Sequence, residues 1–118
     1  ERALIMGGEA LRWDFADRLW SLMPRCKIWN HYGPTETTVG VSVFPVGQPG
    51  ERTSRTVPIG RPLANARHYI LDHHLQPVPA GVPGELCIGG RQVGRGYLNH
   101  PELNAERFVP DIHGGTPG

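Results

Sequence analysis

The stretch Asn30-His31-Tyr32-Gly33-Pro34-Thr35-Glu36-Thr37-Thr38 gathers an aromatic face, a glycine turn, several hydroxyls and one carboxylate. Those are the parts needed to hold a purine ring, a phosphate and a magnesium ion together. Pro34 lacks an N–H and restricts Gly33 before it, so the Pro-Thr-Glu centre resists both helix and strand. The polar side chains are expected on a loop, where binding residues are over-represented. Magnesium takes one or two protein carboxylates and completes its shell with phosphate and water. Glu36 suits that role, against the alternative of a solvated glutamate. Thr35 offers a hydroxyl to a phosphate; Thr37 and Thr38 are lesser candidates that could equally form the turn. Tyr32 presents a flat ring for stacking, unless it is a core tyrosine with a satisfied hydroxyl. Asn30 could meet an adenine edge with an amide that both donates and accepts.

The elements that must carry this loop are readable upstream. Ala3 to Met6 is a short apolar run ending in Gly7-Gly8, the pattern of a buried strand and a tight turn. Gly7 and Gly8 would let a ligand approach the backbone. Glu9 could flank a nucleotide or cap the next helix. That helix is expected over roughly Asp14 to Met23, with Asp14 as N-cap, Asp17 near the positive end of the dipole, and Phe15, Leu19 and Leu22 on one face. Lys27 to Trp29 then reads as a short strand delivering the Tyr32 loop. Strand, helix, strand is the unit of a parallel α/β sheet, whose ligands sit beyond the strand carboxyl ends.

Val39 to Val46 reads as another strand. Gly47 to Thr56 is aperiodic, with Gly, Pro, Arg, Thr and Ser, and is the natural boundary between two parts, 1–46 and 47–118. The second part is β-rich: a strand at Arg67–Asp72, a proline-rich connection over Leu75–Pro83, and a returning strand at Glu85–Ile88. Pro101 to Phe108 suits a short helix opened by proline.

Four ordered motifs identify a family resemblance. NHYGPTETT is similar to the YGPTE motif of nonribosomal peptide synthetase adenylation domains, within the adenylate-forming superfamily that also holds acyl-CoA synthetases and luciferases. Leu4 to Leu11 resembles the family's GGE segment. Val57 to Asn65 resembles its VPIGRP segment. Gly84 to Gly90 with Arg95-Gly96-Tyr97-Leu98 resembles its GELxIxG…RGYL motif. Any one match alone would be modest evidence.

The resemblance implies the end of a flavodoxin-like α/β subdomain followed by a β-rich, distorted-barrel subdomain. It implies ATP and Mg2+ as cofactors, Glu36 as metal ligand, and Thr35 with Glu36 as the catalytic pair. Gly8, Glu9, Asn30, Tyr32, Gly33 and Thr35 would meet the nucleotide. Ile5, Gly7, His31, Val39 and Gly40 would line an amino-acid pocket. Gly7 and Gly40 would leave room there, Ile5 and Val39 would be apolar walls, and His31 would be the polar group. That half-pocket resembles the family's aspartate-type pockets, although His31 could merely pack. The implied partners are an amino acid, the C-terminal adenylation subdomain and a carrier protein bearing phosphopantetheine. The chain departs from the family at Arg91, Gln92 and Gly94, which puts the local turn in question. Arg95 could be structural or pair with an acid elsewhere.

Composition agrees with part of an enzyme core. The chain has 118 residues, a net charge of +1 and two cysteines without metal-ligand spacing. Interspersed charge calls for neither nucleic acid nor an anionic membrane. No run approaches a membrane span. Free thiols and a cytoplasmic setting are expected, a disulfide being the lesser alternative. Arg52, Arg55, Arg61 and Arg67 read as solvated loop residues. The start at Glu1 and the loop-like end suggest an internal piece of a larger enzyme, inactive alone. The resemblance puts a lysine-bearing phosphate loop, a ribose-binding aspartate and a catalytic lysine in other segments. A Gly-x-Ser-x-Gly hydrolase motif and zinc-type histidine spacing are both absent.

Overall fold

A computed structural model of the chain describes residues 2–47 and 52–114. The first apolar run forms strand β1 (Arg2–Met6), followed by helix α1 (Trp13–Leu22) and strand β2 (Cys26–Tyr32). β1 and β2 are parallel, with Ile5 opposite Trp29 and Met6 opposite Asn30. This is the expected strand–helix–strand unit. β2 is longer than the sequence suggested. Asn30, His31 and Tyr32 are held in it because β3 (Ser42–Val46) returns antiparallel and pairs with all three. The loop therefore starts at Gly33, not at Asn30. The expected strand from Val39 begins only at Ser42, because Val39 takes a left-handed backbone with φ of 52°.

Strand alternation divides the sheet into two faces. Met6, Ile28, Phe44 and Val46 face α1 and build the core with Leu11, Ala16 and Val57. Ile5, Trp29 and His31 fall on the other face, and no helix of the described residues covers Ile5, which is 67% exposed. The helix contributes differently from expectation. Ala16 is fully buried, flanked by Trp13, Leu19 and Trp20, while Phe15 and Leu22 are exposed. A small residue at the contact lets the helix approach the sheet, and the large rings fill in around it. The N-cap is Arg12, which makes no side-chain cap bond. Asp14 sits in the first turn and accepts a forked pair of bonds from Arg12 at 3.1 and 2.7 Å.

Residues 48–51 of the expected boundary lie outside the described residues. The chain beyond them packs back onto the first sheet. Val57 enters the core, and β4 (Arg61–Pro62) pairs with β3. Arg52 and Arg67 are not the solvated loop residues that composition suggested. Arg52 forks onto Asp17 with two bonds of 2.7 Å and lies 4.3 Å over the Trp13 ring. Arg67 reaches Asp111 at 2.9 Å.

The second sheet is an antiparallel pair, β5 (Ala66–Leu71) and β6 (Glu85–Gly90), as two strands joined by a turn-rich connection indicated. Helix α2 (Pro101–Arg107) opens on its proline. Cys26 and Cys87 are free and half-buried. No helix among the described residues is long and apolar enough to cross a membrane.

Asn30 is the buried joint between β2 and the second half of the chain. Its amide donates to the carbonyls of Val57 at 3.4 Å and Pro58 at 2.9 Å. Asn30→Ala leaves those carbonyls, the Val57 one buried, without their side-chain donor. It is expected to cost about 1–3 kcal/mol, read as a lowered Tm.

Candidate functional site

Parallel pairing places the carboxyl ends of β1 and β2 side by side. Gly7-Gly8-Glu9 leaves one end and Gly33-Pro34-Thr35-Glu36 leaves the other. Gly7 lies against the end of β2, for a Cβ added at Gly7 would lie 2.7 Å from the His31 carbonyl oxygen. Gly8 has φ of 90° and open space around it. Glu9 is exposed and makes no cap bond to α1, whose N-cap is Arg12.

The loop is closed by short backbone bonds. Thr37 donates to the Pro34 carbonyl through both its N–H, at 3.0 Å, and its hydroxyl, at 2.9 Å. Val41 N–H donates to the Tyr32 carbonyl at 2.8 Å. Gly33 lies against the returning backbone, where a Cβ would stand 2.2 Å from the Val39 carbonyl oxygen. Thr35 is left exposed at the tip. Tyr32 is half-buried at the end of β2.

Glu36 is half-buried, and its surroundings were not foreseen. The Tyr97 hydroxyl donates to Glu36 Oε1. That bond, joined by the backbone N–H of Glu36 itself, holds the carboxyl below the ordinary carboxylate range, although partial burial pushes the other way. The same bond raises the Tyr97 phenol. Both shifts agree that the proton stays on tyrosine and the negative charge on Glu36. The backbone reinforces the contact: Gly94 N–H donates to the Glu36 carbonyl at 2.8 Å and Thr38 N–H to the Gln92 carbonyl at 2.7 Å. Gln92, a departure from the family pattern, also donates its amide to the Ala64 carbonyl at 2.7 Å. The two motifs that looked separate in sequence form one site.

Among the described residues, no group of three or more His, Cys, Asp or Glu could hold a metal ion. An all-protein cage is therefore not offered. A single anionic carboxylate at a loop fits magnesium, which draws most of its ligands from phosphate and water. Glu36 has one oxygen taken by a neutral donor and its charge intact, so the residues fit that ion.

The substrate candidates fall on and beside the uncovered face. Ile5 and His31 project there, and Gly7 adjoins His31. Gly40 is buried under the imidazole, since a Cβ on it would lie 1.9 Å from His31 Nε2. Val39, like Ile5, is exposed among the described residues, at 83%. Asn30 commits its amide donors to Val57 and Pro58, which leaves its side-chain oxygen as the group that could meet a nucleotide edge. Trp29 shares the uncovered face and was missed, though the period-two series Trp29, His31 carried the signal. Tyr97 was missed because its motif was read as turns. A half-buried tyrosine hydroxyl that needs a partner was the available clue.

Comparison with known proteins adds to this geometry. Residues 2–98 match the model of the AMP-binding enzyme family. The chain belongs to the AMP-binding enzyme family. Among members, it is 52% identical over 110 residues to tyrocidine synthase 3 of Brevibacillus parabrevis, covering 93% of this chain and 2% of that protein. It is 50% identical to phosphinothricin tripeptide synthetase PhsB of Streptomyces viridochromogenes, covering 96% of this chain and 9% of that one. Two solved nonribosomal peptide synthetases share the fold. The four-domain holo-AB3403, bound to AMP and glycine, superimposes with a TM-score of 0.77 at 36% identity, over 96% of this chain and 8% of its own. PA1221, with adenylation and PCP domains, gives 0.83 at 28% identity, over 98% and 23%. The AMP-binding segment described here thus spans a small fraction of these proteins' length. Its mixed sheets are those of an adenylate-forming fold, and its relatives are ligase-type synthetases of peptide natural products.

Proposed function

We propose that this chain is the part of an amino-acid-activating adenylation domain that holds the α-phosphate end of the nucleotide and half of the amino-acid pocket. The observation that carries the reading is the junction at one sheet edge. There β1 and β2 end side by side with Gly7 against His31, so Gly8-Glu9 and Gly33–Glu36 leave neighbouring strands, with Ile5 and His31 on the uncovered face. In this reading, residues up to 46 end a flavodoxin-like subdomain and the rest begins a distorted barrel.

The reaction joins an amino acid to the nucleotide. A substrate carboxylate oxygen forms a bond to the α-phosphorus of ATP, the bond to the β-phosphate bridging oxygen breaks, and pyrophosphate leaves. Carboxylate and triphosphate repel each other, and Mg2+, when bound, neutralises the phosphate oxygens. Glu36 would hold that ion, since only one of its carboxylate oxygens is taken by Tyr97. Thr35, exposed at the loop tip, donates its hydroxyl to an α-phosphate oxygen. Tyr32 and Gly33 flank the purine, and Gly8 admits the nucleotide close to the backbone. Catalysis is positioning and charge stabilisation shared among segments, so this piece is inactive alone. The full protein then passes the aminoacyl group to a phosphopantetheine thiol on a carrier domain. PA1221, which carries adenylation and PCP domains, supports that step by analogy.

Amino-acid-dependent exchange of labelled pyrophosphate into ATP by the full-length protein tests the proposal. Exchange with an α-amino acid is the expected result. Exchange with fatty acids alone would indicate an acyl-CoA synthetase, and none with any acid a silent subdomain. Gly40 tests the pocket within the same assay. A methyl group there meets an imidazole that can swing, so Gly40→Ala is expected to fold and to push His31 toward the uncovered face. Relative kcat/KM across an amino-acid panel should change by about tenfold.

A further inference from the structure

We propose that Tyr97 is a positioning residue for Glu36, held by Asn104 and Phe108 so that its hydroxyl fixes one carboxylate oxygen and leaves the other for the cation. The inference rests on the reading of Glu36 as the metal ligand and extends it to residues to which the motifs gave no role.

The clamp on Tyr97 is built from several contacts. Asn104, on α2, accepts the Tyr97 N–H at 2.6 Å and donates to the Tyr97 carbonyl at 2.9 Å. One side chain thus grips both polar groups of a single backbone residue. The Phe108 ring stands edge-on to the Tyr97 ring, with centroids 5.8 Å apart. Backbone and ring are both fixed, and the hydroxyl at the far end meets Glu36 Oε1.

A purely structural role would be redundant. The two segments are already tied by the Gly94 to Glu36 and Thr38 to Gln92 backbone bonds and by the pairing of Thr37 with Val93. The Tyr97 hydroxyl adds orientation of one carboxylate. A neutral donor suits that purpose, because an arginine or lysine at the same place would cancel the charge a cation needs. Ligating carboxylates are commonly oriented by such outer partners, whose loss costs about 10–100-fold in metal affinity or activity.

The test uses the full-length protein with a non-hydrolysable ATP analogue, titrated with Mn2+ and followed by electron paramagnetic resonance of the free ion. Tyr97→Phe keeps the ring against Phe108 and removes only the hydroxyl. It is expected to weaken Mn2+ about tenfold. In exchange assays, the Mg2+ concentration for half-maximal rate should rise by a similar factor while the amino-acid KM stays put. Glu36→Gln should weaken Mn2+ at least as much, and adding Tyr97→Phe to it should have no further effect. Should Tyr97→Phe fail to fold, Asn104→Ala decides, with weaker Mn2+ supporting the inference and unchanged Mn2+ overturning it. Unchanged Mn2+ affinity in Tyr97→Phe beside a weakened Glu36→Gln would overturn the positioning role and leave the metal ligand standing. Unchanged affinity in Glu36→Gln would remove the metal reading itself, and the inference with it.

Discussion

Glu36→Gln in the full-length protein is expected to lower amino-acid-dependent pyrophosphate exchange by about a hundredfold to a thousandfold. The substitution keeps shape and removes charge. The amide can still accept from Tyr97, so the loop should keep its course, and the melting temperature should change little. What is lost is the anionic oxygen beside the triphosphate. Saturating Mg2+ should restore only part of the rate, because the amide offers a weak neutral ligand. A Glu36→Gln protein exchanging at the wild-type rate would remove the metal-binding role from this residue.

Gly33→Ala should be nearly as damaging, for a steric reason. The added methyl would lie 2.2 Å from the Val39 carbonyl oxygen and 2.6 Å from the Gly40 Cα. Both obstacles are backbone, so nothing can swing aside as His31 can for Gly40. The loop must move as a unit, carrying Thr35 and Glu36 with it. A displacement of about 1 Å in catalytic groups can cost on the order of a hundredfold, and that is the expected loss in exchange rate. Tm should fall as well, since forced overpacking costs about 1–3 kcal/mol. Wild-type exchange and Tm in Gly33→Ala would mean that the loop has a different course.

Much of the architecture was legible because it follows from period and punctuation. The apolar run before Gly7-Gly8, the helix after it and the hairpin of β5 and β6 are local patterns. Four motifs in order then named the family. The errors came where tertiary pairing decides. Lys27–Trp29 looked like a short strand because its extension through Tyr32 depends on β3, whose partners cannot be read locally. Asp14 has the chemistry of an N-cap, yet the N-cap falls two residues earlier, at Arg12, which captures the carboxylate. Phe15 and Leu22 have helical spacing with Leu19, but Ala16 gives the closer approach to the sheet. Arg52 looked like a solvated loop residue because nothing in sequence places it beside Asp17 and Trp13.

The site was legible in part. Strand order implied that the segments after β1 and β2 leave neighbouring strand ends, and Gly7 does lie against His31. What sequence could not show for Asn30 is that its amide donors go to Val57 and Pro58, because those carbonyls come from distant chain. Tyr97 lies far from Glu36 in sequence, so their bond was invisible until the backbone of 92–97 met the loop.

The most direct measurement is a crystal structure of the full-length protein with a non-hydrolysable ATP analogue and Mn2+, using the anomalous signal to locate the metal. The account predicts Mn2+ about 2.0–2.3 Å from the Glu36 oxygen that Tyr97 does not hold, bridging to phosphate. A metal bridging the phosphates with the Glu36 side chain turned away would contradict it.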